Sequence, residues 1–338
     1  MLGTAVLDAV TGPQYNLLPV YAAGPAIASA RGPVRDVAAM GGLAVLLCLV
    51  FAWKADRFGH LRMWVALFAI AYVTLASAYA AWARLKVERR LVDVRDVART
   101  LEDVLFTPVP PAIGPVRLGT SYVSAGRATR IGGDLYDVEE CSGGVRVVVG
   151  DVQGKGLETV RCASVVLTAF REAAPGAGEL SDVGGRIEAA LERRTDGGRF
   201  VTAILAEIGR DGGLLVHNHG HPPPLLRTRD GEVVAVASGE PGPPFGLTVL
   251  TGPAGLRDSV TRATLHVGDR LFFYTDGLSE ARDDEGRFYP VRERVTPLLT
   301  ADEPEDVLRL VRADVAAFTG APPDDDSALL LVEFRGSA

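Results

Sequence analysis

The sequence predicts an α+β domain of layered, mostly antiparallel sheets covered by helices, preceded by two transmembrane helices. Three observations predict it. Two long uncharged runs stand near the N-terminus, seventeen residues over 37–53 and twenty-one over 63–83. From residue 115 the pattern switches to short β-branched runs separated by Gly/Pro turns, with a few helical stretches between them. Successive strands joined by short turns pair antiparallel, and helices bury the remaining apolar faces.

Composition bounds the answer. The chain has 338 residues, room for one large domain or two modest ones. A net charge of −7 and a pI near 5.4 exclude a nucleic-acid partner, because phosphate binding needs a basic face. Cys48, Cys141 and Cys162 show no paired spacing, which fits a reduced compartment and gives neither a disulfide nor a zinc framework. The mean hydropathy of +0.18 has a local source.

Residues 1–36 have no readable fold. They carry Asp8 and no basic start, a poor signal peptide, and the apolar run 17–30 is broken by Pro19, Gly24 and Pro25. The two runs that follow match the roughly 20 apolar residues a helix needs to cross a bilayer. Trp53, Trp64, Tyr79 and Trp82 lie near their ends, where aromatic belts sit. We therefore expect a two-span membrane region over 37–83. The loop between the spans carries Lys54, Arg57 and Arg62, and the segment after them carries Arg84, Lys86, Arg89 and Arg90. The more basic side belongs inside, which places both termini, and the large domain, in the cytoplasm.

Over 84–111 a helical linker is expected. Leu91, Val94, Ala98, Leu101 and Leu105 recur three and four apart, a stripe suited either to a solvated spacer or to a stalk pairing two copies as a homodimer. Pro108, Pro110 and Pro111 end it. In the domain over 112–338, helices are expected at 159–174, 180–194 and 304–318. Strands are expected at 145–149, 200–208, 213–218, 232–237, 263–267, 270–274 and 328–334.

Acidic residues mark the ends of these strands. Asp134 and Asp151 lie seventeen positions apart beside glycines, Asp276 ends an apolar strand, and Asp325 and Asp326 precede the last one. Glycine lets backbone oxygens approach a hard cation while carboxylates supply charge. The bland reading is ordinary turn chemistry. If the strand ends converge, the negative charge calls for cations, and an all-oxygen set selects magnesium, manganese or calcium over zinc or copper.

Five blocks in order carry a resemblance: Gly-Gly-Asp-Leu-Tyr-Asp (132–137), Gly-Asp-Val-Gln-Gly-Lys-Gly-Leu-Glu (150–158), Gly-His-Pro-Pro-Pro-Leu-Leu (220–226), Tyr-Thr-Asp-Gly-Leu-Ser-Glu-Ala (274–281) and Asp-Asp-Ser-Ala-Leu-Leu-Leu-Val (325–332). Together they resemble the SpoIIE-like branch of the metal-dependent, type 2C protein serine/threonine phosphatases. The resemblance implies an α-β-β-α sandwich of two mostly antiparallel sheets flanked by helices. It implies two divalent cations, Mn2+ or Mg2+, with Asp134, Asp151 and the Val152 carbonyl as ligands, Asp151 bridging. Asp276 would join the second ion with Asp325 or Asp326, since the triple aspartate blurs the register. The implied reaction is in-line attack of metal-activated water on a phosphoserine or phosphothreonine, with Asp134 and Asp151 as the catalytic pair. The branch suggests a phosphoprotein substrate such as a phosphorylated anti-sigma-factor antagonist. Lys155 departs from the pattern, standing where many relatives have histidine. Arg127 and Arg130 are either phosphate holders or solvated loop charges.

Other readings compete. Gly150 to Gly156 is no nucleotide P-loop, because only three residues separate Gly150 from Gly154 and Gly156 replaces the hydroxyl residue. His217, His219 and His221 alternate and would share a strand face, an arrangement open to a transition metal. A non-catalytic membrane receptor, whose phosphatase-like domain only binds a partner, is the alternative from a different class.

Overall fold

The computed structural model describes residues 23–54, 61–105, 108–123, 133–194, 199–237, 241–247, 260–320 and 326–336. The chain divides into two compact units, Met1–Val94 and Arg95–Ala338.

The first unit is helical: α1 (Ala23–Arg31), α2 (Val34–Lys54) and the start of α3 (Leu61–Leu105). Small residues let α2 and α3 approach closely. Ala44 and Cys48 pack on Ala66 and Ile70, and a Cβ on Gly41 would fall 2.4 Å from Thr74 Cγ2. Arg84 donates to the backbone oxygens of Ala30 and Gly32, tying α3 to the end of α1. Much of what remains is apolar and uncovered. Trp53 and Phe68 are each 73% exposed, and Leu46, Trp64, Leu75, Tyr79 and Trp82 are also open. Among the described residues one segment, Met63–Val87, is long and apolar enough to cross a membrane by length and composition. The side chains of the expected stalk stripe, 91–105, lie outside the described residues.

The second unit is a sandwich of two antiparallel sheets. The first contains β1 (Ala112–Ile113), β2 (Val116–Val123), β7 (Leu225–Arg227), β8 (Val233–Ala235), β10 (Arg270–Tyr274) and β11 (Ser327–Phe334), in the order β1-β2-β11-β10-β7-β8. The second runs β3-β4-β5-β6-β9, from β3 (Leu135–Cys141), β4 (Gly144–Val152), β5 (Val201–Gly209), β6 (Gly213–His219) and β9 (Val260–Thr264). Helices α4 (Leu157–Ala173) and α5 (Leu180–Arg194) cover the second sheet. Helices α7 (Val291–Val295) and α8 (Pro304–Thr319) cover the first, and the short α6 (Asp276–Ser279) follows β10.

Period-two alternation assigns the faces. Val145, Val147 and Val149 of β4 meet Leu271, Phe273, Leu330 and Val332 in the core between the sheets. Val148 turns the other way, onto Val166 and Phe170 of α4. Phe272 and Leu329 likewise face Val307 and Val311 of α8. The expected α+β sandwich is the fold observed.

Each sheet also buries one arginine under a helix end. Arg146 donates to Glu207 at 2.6 Å and to the Ala174 and Ala177 oxygens just past α4, at 2.8 and 2.9 Å. Carbonyls orphaned near a helix C-terminus accept such a cation favourably. In the other sheet Arg270 donates to Glu333 at 3.0 Å and to the oxygens of Leu299 and Asp302.

Several strands differ from expectation. The strand expected at 263–267 runs Val260–Thr264, because the chain turns at Gly268 (φ 94°) and Val267 is 59% exposed. Strands β1, β2, β3 and β7 were not expected as such.

Candidate metal centre

The centre is built where both sheets end on the same side. In the hairpin of β3 and β4, Leu135 lies opposite Gly150. One step further along that register Asp134 comes opposite Asp151, and directly opposed residues bring their Cβ atoms within about 5 Å. Gly133 makes the approach feasible. A Cβ there would lie 2.6 Å from the Val152 oxygen, 2.7 Å from Asp151 Oδ1 and 2.8 Å from Thr159 Cγ2. The Val152 amide in turn donates to the Gly133 oxygen at 3.1 Å.

The other sheet supplies the rest. Tyr274 of β10 lies opposite Leu329 of β11, so the chain just beyond both strands delivers Asp276 and Asp326 together. A Cβ on Gly277 would overlap the Asp326 backbone oxygen, so only glycine lets these two segments meet. Among the described residues one group of three or more His, Cys, Asp or Glu has ligand atoms all within 4.8 Å of one another: Asp134, Asp151 and Asp276. The sequence named all three. Asp326, also named, is buried beside this group without belonging to it. Asp325, Arg127 and Arg130 lie outside the described residues.

Asp134 is the innermost of the set, 4% exposed. Its Oδ2 accepts from Thr275 Oγ1 at 2.6 Å and from the Ala328 amide at 3.0 Å, so one carboxylate joins the two sheets. Burial pushes its pKa well above the ordinary value, the neighbouring charge of Asp151 adds to this, and the Thr275 hydrogen bond opposes it. Asp276 and Asp326 push the same way. Converging carboxylates in a buried setting are costly unless a cation neutralises them. The donor set is all oxygen, which fits a hard divalent ion such as Mg2+ or Mn2+.

Supporting contacts hold the surroundings. His221 donates from Nε2 to the Tyr274 oxygen at 3.2 Å, and its Nδ1 accepts from Thr202 Oγ1 at 3.0 Å. Burial lowers its pKa to about 4, so it stays neutral and serves as a second link between the sheets. Arg199 donates to the Gln153 oxygen at 2.7 Å, beneath the turn at Gly154 (φ 101°). Arg171 of α4 donates to Asp137 at 2.5 Å, fastening β3 to the helix that starts behind the centre. Lys155 is exposed in the turn after Asp151. Thr275, Thr202 and Arg199 were missed in the sequence; only Thr275 had a signal, its place in Tyr-Thr-Asp-Gly.

The three histidines do not gather as ligands. His221 spends both nitrogens as above, and His217 and His219 join no group of three potential ligands among the described residues.

Comparison with known proteins agrees with the geometry. The family model for Stage II sporulation protein E (SpoIIE) matches residues 142–335. The RsbU and RsbW domains of Rv1364c from Mycobacterium tuberculosis superpose with a TM-score of 0.54 at 24% identity, over 68% of this chain and 62% of that one. The SiaA-PP2C domain of Pseudomonas aeruginosa gives 0.55 at 18% identity, over 75% and 98%. RsbX in complex with magnesium gives 0.51 at 14%, over 68% and 100%. These likenesses show the fold; this chain spans under two thirds of the Rv1364c structure's length. The family match takes in β4, β10 and β11, the strands from which Asp151, Asp276 and Asp326 emerge, and covers more than half of the sequence. The chain belongs to the SpoIIE family of metal-dependent, PP2C-type protein serine/threonine phosphatases.

Proposed function

We propose that this chain is a membrane-tethered phosphatase that removes phosphate from phosphoserine or phosphothreonine on a regulatory protein, with a phosphorylated anti-sigma-factor antagonist as the leading candidate. The observation that carries the reading is the convergence of Asp134, Asp151 and Asp276 within 4.8 Å, with Asp134 buried. Asp134, Asp151 and the Val152 carbonyl would hold one divalent cation, Mn2+ or Mg2+, and Asp151, Asp276 and either Asp325 or Asp326 would hold a second. Two such cations, when bound, lower the pKa of water and offset charge developing on a phosphoryl group. The chain's own part is to fix the carboxylates before substrate arrives. Asp134 is held by Thr275 and Ala328, and Asp151 is placed by the hairpin register.

The tether rests on the first unit. Its uncovered tryptophans and leucines make a larger apolar surface than a water-facing helical hairpin sustains. We read both α2 and the 63–87 part of α3 as spanning the bilayer, with the phosphatase domain on the cytoplasmic side. The α3 segment beyond is a candidate homodimer stalk.

The test uses full-length protein in nanodiscs with manganese and both p-nitrophenyl phosphate and a phosphoserine protein. Wild type should hydrolyse both, and chelation or Asp151→Asn should reduce the rate at least about 100-fold, the scale of removing a main electrostatic stabiliser. Equal background rates for wild type and variant would instead make the domain a partner-binding module.

A further inference from the structure

The backbone changes character directly after Val152. Strand β4 ends there, and Gln153, Gly154, Lys155 and Gly156 form a turn, its first three residues exposed, before α4 begins. Gly154 and Gly156 both stand at φ 101°. Glycine admits more backbone conformations than other residues, so this turn has little stiffness of its own. The Val152 carbonyl at its start is nevertheless closely placed. Its oxygen and Asp151 Oδ1 lie 2.6 and 2.7 Å from the point where a Gly133 Cβ would fall. The restraint has to come from outside the turn.

Residues 199 and 200 supply it. The Gln153 amide donates to the Phe200 oxygen at 3.0 Å, and the Gln153 oxygen accepts from Arg199 Nη1 at 2.7 Å. In a trans peptide the C=O and the following N–H point opposite ways. With the Gln153 N–H directed at Phe200, the Val152 C=O faces the other side, where the Val152 amide donates to the Gly133 oxygen at 3.1 Å. Gln153 is thus clamped at both of its peptide groups.

The bond to Phe200 is backbone to backbone and open to any sequence. The other clamp depends on one side chain. Gly154 makes room for it, since a Cβ there would overlap Arg199 Nη1. The same nitrogen reaches Thr159 Oγ1 at 3.4 Å, in the first turn of α4. Thr159 is fully buried, and a Cβ on Gly133 would lie 2.8 Å from its Cγ2. Arg199 therefore wedges the glycine turn against the helix behind the centre. Among the described residues no carboxylate pairs with it, and both of its acceptors are neutral oxygens. An ion pair is not what holds it here. A charged donor makes such hydrogen bonds stronger than a neutral one does.

We propose that Arg199 is a positioning residue of the metal centre: by holding the Gln153 carbonyl it fixes the peptide that carries the Val152 oxygen, and so sets the affinity for the cation this oxygen takes. The inference rests on the reading of Val152 as a ligand of that cation. Groups that orient a metal ligand change metal affinity about 10–100-fold.

The experiment titrates manganese into full-length protein in nanodiscs and follows free Mn2+ by electron paramagnetic resonance, for wild type, Arg199→Met and Arg199→Lys. Wild type should bind manganese saturably. Arg199→Met should raise the dissociation constant of the tighter site at least about tenfold. Arg199→Lys, which keeps the charge and one donor but not the fixed fork, should fall between the two, at least about threefold weaker than wild type. At saturating manganese the KM for p-nitrophenyl phosphate should stay within about twofold of wild type. Melting curves with chelator identify the folded variants, and the lysine variant alone decides if the methionine one does not fold. A lower melting temperature with an unchanged manganese dissociation constant is the mark of a merely structural role and would overturn the proposal. So would a raised KM with unchanged manganese binding, which would make Arg199 a phosphate contact. A wild type that binds no manganese would overturn the centre itself, whereas equal binding by wild type and variants would overturn the role of Arg199 alone.

Discussion

Replacing Thr275 with valine isolates the contact between the two sheets at the metal centre. Thr275 is fully buried, and its hydroxyl donates to Asp134 Oδ2 at 2.6 Å. Valine keeps the shape and removes the donor, while the Ala328 amide still reaches Asp134 at 3.0 Å. A hydrogen bond to a charged group contributes about 1.5–3 kcal/mol. At about 1.4 kcal/mol per decade, its loss weakens the carboxylate form by about ten- to a hundredfold. Partners that orient metal ligands change metal affinity over the same range, about 10–100-fold. The expected result is a half-saturating manganese concentration raised by about that factor, with much of the rate restored at saturating metal. The Thr275 bond also opposes the upward displacement of the Asp134 pKa, so the variant's activity profile should move to higher pH. The assay is phosphate release from p-nitrophenyl phosphate against manganese concentration at several pH values. A folded Thr275→Val protein with an unchanged manganese midpoint would refute the reasoning.

Two further outcomes follow from the same centre. In metal-free protein the raised Asp134 pKa favours the folded state at acidic pH, and that contribution is lost as pH rises from the ordinary value of 3.8 through the displaced one. The melting temperature of wild type minus that of Asp134→Asn, both with chelator, should therefore fall from acidic toward neutral pH; added manganese should reverse the trend, which differential scanning calorimetry would record. Gly133→Ala would put a Cβ 2.6 Å from the Val152 oxygen. It should lose about 1–3 kcal/mol of stability by overpacking, measured by denaturant melts, and most of its manganese-dependent activity.

Much of the centre was legible because its residues punctuate apolar strands. Val145–Val149 reads as a buried strand from its β-branched side chains alone, which fixes Asp151 at its end. Phe272, Phe273 and Tyr274 do the same for Asp276. Strands with polar work to do were harder to see. In β3 the buried Asp137 interrupts the apolar run, and it is tolerated only because Arg171, distant in sequence, pairs with it. In β2 a glycine falls mid-strand because a Cβ on Gly119 would meet the Pro304 backbone at 2.8 Å. Neither partner is visible locally. The Thr275 hydroxyl meets a carboxylate 141 residues away, a contact that only the docking of the two sheets creates.

The hairpin that opposes Asp134 to Asp151 has a consequence for how this chain tolerates length changes. Its turn, Ser142–Gly143, lies at the far end of β3 and β4 from the acidic pair. Extra residues in that turn leave both strands in phase, so the loop is free to vary. A single deletion within β4 does two things at once: it turns valines of β4 out of the inter-sheet core, and it carries one aspartate past the other. A chain that slips there loses its core together with its chemistry, so misregistered protein leaves no stable, half-active form to be filtered out later.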